Sequence, residues 1–287
     1  MAVYKWSVLS MGMGMAMVPS EVASSSSILS TRDCALIQGF EDTTSKSFAE
    51  HFANMVHQRE VCLDSRKTCQ VPLQKRINDY HLFIEGQKDR FYSVGAGSAA
   101  KEAIAVLVAQ FQATSGLRRR TEKPRGVSDY IFLVFVEPPL AEYNFDLYSK
   151  AHIIHDEFGF SPSEKKQRVE LFKYFIDQKL PCITIFSEYP DNTIHDSHIW
   201  IRSDLNEMLM QQCVAEEFYN SFGLDEGKEV GNIFDYEFSH EAADTSLSAF
   251  DLLLLKILYS DKFPRGSNHS KTMTIFQQLF GEECTVE

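Results

Sequence analysis

Residues 203–226 constrain the fold more than any other stretch, because they predict a single helix whose start and end are both marked. Asp204 is placed to cap the first turn, and Glu207 falls at the third helical position, where a capping box needs Glu or Gln. Gly223 follows the last apolar residue of the helical pattern, where a left-handed residue commonly ends a helix. The apolar residues between these ends form a wide face, so the helix has to be buried against other elements.

The C-terminal end of this helix carries two adjacent carboxylates, Glu216 and Glu217, and Asn220 shares a face with Glu216 one turn later. Zinc proteases with the pattern H-E-x-x-H place two metal ligands at that spacing and a general base directly after the first ligand. In metzincins the helix then breaks at a Gly, and a third His follows three residues later. On that frame Gly223 matches the Gly, Glu217 matches the general base, and Glu226 takes the place of the third His. The general base and the Gly are kept, whereas all three metal-ligand positions are changed.

This pattern leaves two functions open. The first is a non-catalytic exported protein that keeps the scaffold for binding or for a role in the cell envelope, with no cofactor. The second is a metallopeptidase in which Glu216, Asn220 and Glu226 hold a divalent metal ion and Glu217 is the catalytic base. Two carboxylates and an amide favour Mg²⁺, Ca²⁺ or Mn²⁺ over zinc, and these ions activate water less strongly. We therefore favour the first function, in which the three ligand positions hold no metal.

Other chemistry is less compatible with these carboxylates. A glycosidase needs two carboxyl groups that face one bond, but adjacent residues on a helix diverge by roughly 100°. A structural role is a simpler alternative, in which Glu217 accepts hydrogen bonds from a loop and Glu216 is solvated.

Two histidine pairs, His152 with His155 and His195 with His198, have metal-ligand spacing. Residues three apart on a strand face opposite sides, which counts against a shared metal at the second pair.

The composition and the first residues of the chain limit the partners and the location that we expect for the protein. Apolar residues make up 44% of the 287 residues, which is enough for a sizeable core. The net charge of −12 argues against nucleic acid and anionic membrane surfaces as partners. Residues 1–24 predict a signal peptide, because Lys5 precedes a short apolar run and small residues follow it. The remainder has no second long apolar segment, so we expect a periplasmic or secreted protein without a membrane span.

Six cysteines behind an export signal predict disulfides, with fifteen connectivities open. Cys62 and Cys69 are close enough in sequence to close a local loop. Cys182 begins a predicted strand that could lie beside the helix that carries Cys213. The pairing of Cys34, Cys62, Cys69 and Cys284 stays open. The alternative that all six cysteines are buried thiols is also open.

The hydrophobic patterns predict an α/β (α+β) fold, with a mixed sheet packed on helices and further helices at the C-terminus. The apolar run Tyr130–Val136 predicts a central strand, and residues 194–201 alternate as an edge strand does. Residues 25–74, with Cys34, Cys62 and Cys69, form an N-terminal extension with one predicted helix at 47–58, and residues 75–287 form the main domain. The remaining strands are predicted at 80–85 and 183–187, and the remaining helices at 99–114, 161–179, 249–259 and 271–280.

Three segments, 213–224, 232–235 and 247–259, carry a family resemblance. Together they resemble the bacterial domain-of-unknown-function 2927 family, whose exported proteins are similar to metzincins with a degenerate zinc motif. The resemblance covers about residues 75–280 and implies a metzincin-like fold, in which a Met-turn and a C-terminal helix follow the helix with the zinc motif. It brings no established biochemical activity, and the partner implied is at most a protein or peptide in the envelope.

The resemblance also assigns individual residues. Phe234 stands near the Met of the Met-turn, and Asp251 and Tyr259 match an Asp and a Tyr of the C-terminal helix. The family further implies a disulfide between Cys182 and Cys213.

Overall fold

The computed structural model describes residues 27–59, 69–85, 94–122, 129–136, 161–225 and 247–284. The helices within these ranges are α1 (Thr31–Thr44), α2 (Phe48–His57), α3 (Val94–Ser115), α4 (Pro162–Asp177), α5 (Glu207–Asn220), α6 (Ala249–Tyr259) and α7 (His269–Glu283). The strands are β1 (Gln58–Arg59), β2 (Cys69–Gln70), β3 (Tyr80–Glu85), β4 (Arg119–Arg120), β5 (Tyr130–Val136), β6 (Cys182–Glu188) and β7 (Ile194–Arg202). The predicted α/β class, with helices at the C-terminal end of the sequence, is confirmed.

The main sheet is mixed, with the strand order β4-β3-β5-β7-β6. Four neighbouring strands run parallel, and β6 pairs antiparallel with β7 at one edge. Every residue of β5 is buried, as the continuous apolar run predicts for a central strand. A strand with neighbours on both edges and helices on both faces has no need of polar residues, and β5 has none besides its tyrosine hydroxyl.

The prediction that residues 194–201 form an edge strand is wrong, since β7 lies between β5 and β6. The polar residues that produced the alternating pattern are Asp196, Ser197 and His198, and all three are buried. Arg168 donates to Asp196 and Arg76 donates to Ser197, so these side chains find their partners inside the protein. Buried polar networks of this kind imitate the pattern of an exposed strand face.

Two hydrophobic clusters cover the two faces of the sheet. The larger one joins helices α1, α2, α3, α5, α6 and α7 with one face, and its members include Phe218 and Phe222. The smaller one lies between α4 and the opposite face, where Phe172 packs edge-on against Trp200 with ring centroids 5.0 Å apart. Helix α5 is therefore packed on the sheet, as predicted.

The N-terminal extension is part of the same core. Helix α2 matches the predicted helix at 47–58, whereas α1 was not predicted. Phe48 and Phe52 are fully buried, and both rings contact the ring of Phe276 on α7. The extension therefore shares its packing with the main domain.

Two disulfides close within the described residues. Cys182 at the start of β6 is bonded to Cys213 on α5, as the family resemblance implies, and Cys34 on α1 is bonded to Cys284 after α7. Cys69 is also disulfide-bonded. Cys62 and the predicted signal peptide lie outside the described residues. No helix in the described ranges is long and apolar enough to cross a membrane.

Candidate functional site

Helix α5, which carries the candidate carboxylates, begins later than predicted. Asn206 is the N-cap, and its side-chain oxygen accepts a hydrogen bond from the backbone N–H of Leu209 at 2.9 Å. Asp204 does not cap the helix, because both of its carboxylate oxygens accept hydrogen bonds from Arg202, at 2.9 and 2.7 Å. Strand β7 runs through Arg202, so this ion pair forms in the turn between strand and helix. Glu207 is consequently the first helical residue and not the third.

The outer edge of the sheet fixes the position of α5. The Cys182–Cys213 disulfide joins the first residue of β6 to the middle of the helix. Thr184, two residues further along β6, donates from its hydroxyl to the backbone oxygen of Glu217 at 2.9 Å. Alternate residues of β6 therefore contact α5, one at Cys213 and the other at the backbone of Glu217.

The helix ends in a turn that requires glycine at position 223. Gly223 has a φ of 100°, in the left-handed region that the sequence predicts for it. A Cβ atom there would lie 2.2 Å from the backbone oxygen of Gln74 and 3.3 Å from a side-chain carbon of Ile194. Both the backbone conformation and the close approach of a second segment therefore exclude a larger residue.

A buried arginine lies behind this turn. The Arg76 guanidinium donates to three backbone oxygens, those of Ser221 at 3.0 Å, Tyr130 at 3.1 Å and His195 at 3.2 Å, and to the hydroxyl of Ser197. All four acceptors are neutral, and burial lowers the pKa of Arg76. Through these hydrogen bonds, this one side chain links the turn after α5 to both β5 and β7.

Of the two residues that the family resemblance assigns to α6, Tyr259 stabilises the turn and Asp251 stabilises the start of the helix. The Tyr259 hydroxyl donates to the backbone oxygen of Phe222 at 3.1 Å and accepts from the backbone N–H of Arg76 at 3.2 Å. Burial raises the pKa of Tyr259. Asp251 forms a capping box with Ser248, whose backbone N–H donates to its carboxylate at 2.9 Å. Asp251 therefore caps its own helix.

The two described ligand positions are more exposed than the candidate general base. Glu217 is 4% exposed, while Glu216 and Asn220 are half-buried. The Asn220 side-chain nitrogen lies 3.3 Å from a carboxylate oxygen of Glu217. With the amide turned over, which satisfies its surroundings better, the nitrogen donates to the backbone oxygens of Glu216 at 3.3 Å and Leu224 at 3.0 Å. The Asn220 amide thus donates hydrogen bonds to backbone oxygens at the end of the helix.

These donors do not fit a catalytic zinc, which binds mainly His or Cys and rarely a neutral amide. No group of three or more His, Cys, Asp or Glu side chains in the described ranges is arranged to hold a metal ion. Glu226, the predicted third ligand, and Phe234, the predicted Met-turn equivalent, lie outside those ranges.

Arg59 contacts the same region, although nothing in the sequence around it indicates this. Its guanidinium lies 5.0 Å from the ring centroid of Phe186 on β6, and one of its nitrogens is 3.9 Å from a carboxylate oxygen of Asp225. The backbone N–H of Asp225 donates to the oxygen of Met55 at 2.7 Å. The end of α2 is thereby joined to the segment that follows Gly223. No local pattern marks such a residue, because its partners come from distant parts of the sequence.

The second histidine pair does not share a metal-type arrangement. His195 and His198 both approach the carboxylate of Asp196, with nitrogen–oxygen distances of 3.0 and 3.7 Å. Arg168 donates to the same carboxylate at 2.7 Å. Burial lowers the pKa of His198 well below its usual value, and the nearby Arg168 charge lowers it further. His152 and His155 lie outside the described residues.

Comparison with known proteins gives one match. Residues 151–278 match the model of a family described as "Protein of unknown function (DUF2927)". This range contains α5, the Gly223 turn and α6, and the match supports the expected relation to the domain-of-unknown-function family. The chain matches no curated protein and no solved structure.

Proposed function

We propose that this chain, whose residues 151–278 match that family, is an exported pseudoprotease: a non-catalytic, metzincin-like protein with a binding role in the cell envelope. Its scaffold keeps the helix, the glycine turn and the following helix of a zinc peptidase, without the ligands.

The observation that carries this proposal is found at the end of α5, where the turn of a zinc peptidase is present but its histidine ligands are not. The turn keeps a glycine that no other residue can replace without strain, and Tyr259 and Arg76 hold that turn by hydrogen bonds. The positions that would bind zinc hold Glu216 and Asn220, and the Asn220 amide nitrogen hydrogen bonds within the helix end. A turn that requires its glycine, beside candidate ligand positions that hold no histidine, fits a scaffold whose use is binding.

Export is supported by two independent features. The first 24 residues have the pattern of a signal peptide, and disulfides join Cys182 to Cys213 and Cys34 to Cys284. Disulfides persist in the periplasm and outside the cell, and are rare in the cytosol. We therefore place the mature protein in the periplasm or the medium.

The partner that we propose is an extended segment of a protein or peptide. Strand β6 is an edge of the main sheet, and within the described residues no strand pairs with its outer side. Extended peptides bind to such edges through backbone hydrogen bonds. Because α5 lies beside β6, a peptide bound there would run past the position of the candidate carboxylates.

The alternative is a metal-dependent peptidase with Glu216, Asn220 and Glu226 as ligands and Glu217 as general base. The burial of Glu217 favours it, because a carboxylate held away from bulk water is an environment that a general base often has. The hydrogen bonding of Asn220 and the absence of His from the ligand positions weigh against it.

Elemental analysis of the purified mature protein, with a protease assay on wild type and Glu217→Gln, distinguishes the two functions. The pseudoprotease has no stoichiometric metal and cleaves no general protein substrate, and Glu217→Gln behaves as wild type does. One equivalent of metal, together with a peptidase activity that Glu217→Gln abolishes, would establish the alternative.

A further inference from the structure

The two disulfides of known pairing differ in their exposure. Cys182 and Cys213 are buried, with 9% and 0% of their surface exposed. Cys34 and Cys284 are only partly buried, at the edge of the larger hydrophobic cluster. Because thiol–disulfide exchange needs a thiolate to reach a sulfur atom, the second bond is the more accessible to a reductant.

The accessible bond closes a clasp between the two ends of the described chain. It joins α1 to the residue that follows α7, across a sequence separation of 250. Glu283, next to Cys284, accepts hydrogen bonds from the backbone N–H groups of Ile28 and Leu29, the former at 3.1 Å. The Asp33 carboxylate of α1 accepts from the Lys256 ammonium at 2.7 Å. These contacts are polar and lie near the surface.

Few apolar side chains attach α1 to the rest of the protein. Only Ile37 and Phe40 are buried within this 14-residue helix. Phe40 stacks on Phe250 with ring centroids 5.2 Å apart, and lies against His51 at 4.9 Å. In α2, by contrast, nine of the ten residues are buried, Phe48 and Phe52 among them. A helix with few buried side chains opens locally at a lower free energy than one in the core.

We propose that the Cys34–Cys284 disulfide is a redox-sensitive clasp, and that a dithiol reductant opens it and releases α1 while the Cys182–Cys213 bond and the rest of the fold stay intact. A thiolate of the reductant attacks one sulfur, the S–S bond breaks, and the other cysteine leaves as a thiolate and takes up a proton. The second thiol of the reductant then displaces the first cysteine from the mixed disulfide. The reductant ends as a disulfide, and the protein gains two electrons and two protons.

Opening the clasp changes the surface of the protein. Release of α1 uncovers the aromatic side chains that Phe40 now covers, namely Phe48, His51 and Phe250. The protein would thus present an apolar surface in its reduced form that its oxidised form hides. The natural reductant that fits is an exported protein with a reactive dithiol, because of the two disulfides of known pairing only Cys34–Cys284 is within its reach.

The test uses the mature protein, increasing concentrations of dithiothreitol and rapid alkylation, with mass spectrometry to identify the modified cysteines. We expect Cys34 and Cys284 to be alkylated at least about tenfold faster than Cys182 and Cys213. Hydrogen exchange on the same samples should show loss of protection across residues 27–44 and unchanged protection in α5 and β6.

Two double variants provide the controls. Cys34→Ser/Cys284→Ser should show the fast exchange of residues 27–44 without reductant, and dithiothreitol should change that exchange no further. Cys182→Ser/Cys213→Ser should keep α1 protected until the reductant is added. Equal alkylation rates at the two disulfides, or full protection of α1 after Cys34 and Cys284 are reduced, would overturn the proposal.

Discussion

The frame of the candidate site and its ligand positions differ in how strongly the surrounding structure determines them. The frame consists of Arg76, Gly223, Tyr259 and the Cys182–Cys213 disulfide. All are buried except Tyr259, which is partly buried, and each is hydrogen-bonded, disulfide-bonded or closely packed. The ligand positions Glu216 and Asn220 are half-buried at the helix surface. Folding depends on the frame, whereas chemistry would depend on the ligand positions.

Under the proposed function, this difference explains how a scaffold of peptidase type could persist without peptidase ligands. Substitutions at half-buried positions on a helix cost little stability, so ligands can be lost once catalysis is no longer selected. Substitutions in the frame remove a buried hydrogen-bond donor, a disulfide or a required backbone conformation, each of which is costly. The predictions below test this contrast, in order of decreasing effect on the free energy of unfolding.

Arg76→Met should have the largest effect, a loss of about 4 kcal/mol, because it leaves buried oxygens of three segments without their shared donor. Urea denaturation of both proteins measures it. Arg119→Met is the matched control: Arg119 is exposed, so its substitution should change stability by less than about 0.5 kcal/mol. Similar losses in the two variants would show that the buried arginine does not organise the frame.

Removal of the buried disulfide in Cys182→Ser/Cys213→Ser should cost about 3–4 kcal/mol, since the bond closes a loop with a sequence separation of 31. The midpoint of urea denaturation under oxidising conditions is the measurement. A midpoint equal to that of wild type would mean that Thr184 and the apolar contacts hold α5 on the sheet by themselves.

Gly223→Ala should cost about 3 kcal/mol, because the new methyl group meets the Gln74 backbone oxygen in addition to the strain of a positive φ. Gly116→Ala separates the two causes. Gly116 also has a positive φ, of 77°, but nothing lies within 4 Å of its added Cβ, so only about 1 kcal/mol is expected there. Thermal unfolding of both variants gives the comparison, and equal losses would rule out the crowding at position 223.

At the ligand positions the effects should be small. Glu216→Gln keeps the shape of the side chain and should change stability by less than about 0.5 kcal/mol. Asn220→Ala removes the hydrogen bonds of the amide at the helix end and should cost about 1 kcal/mol. If either variant lost as much stability as Arg76→Met, these positions would belong to the frame and the contrast would fail.

The sequence predicted the elements whose signals are local. The run Tyr130–Val136 is the central strand, Ser248 and Asp251 start α6 as predicted, and Gly223 ends α5 with a positive φ. The position of β7 within the sheet could not be predicted, because its buried polar residues look like those of an exposed face until Arg76 and Arg168 are placed beside them. The start of α5 was misplaced for a related reason, since Asp204 pairs with Arg202 and leaves the cap to Asn206.

The candidate site was predicted in part. The spacing of Glu216, Glu217, Asn220 and Gly223 follows from sequence alone, because a helix fixes which residues share a face. Arg59 and Arg76 could not be found in that way, since the groups they contact lie in segments far away in the sequence. Long-range partners of this kind have no periodicity that a single sequence can display.

The most direct test of the proposed pseudoprotease is the zinc content of the wild-type protein beside that of a variant with histidine at the three candidate ligand positions, Glu216→His/Asn220→His/Glu226→His. Both are purified, incubated with zinc, desalted and analysed for bound metal. The proposed function predicts no stoichiometric zinc in the wild type and about one zinc per chain in the variant, because the variant places three histidines at the spacing of a zinc peptidase. One equivalent of zinc in the wild type would contradict the proposal that the protein is a pseudoprotease.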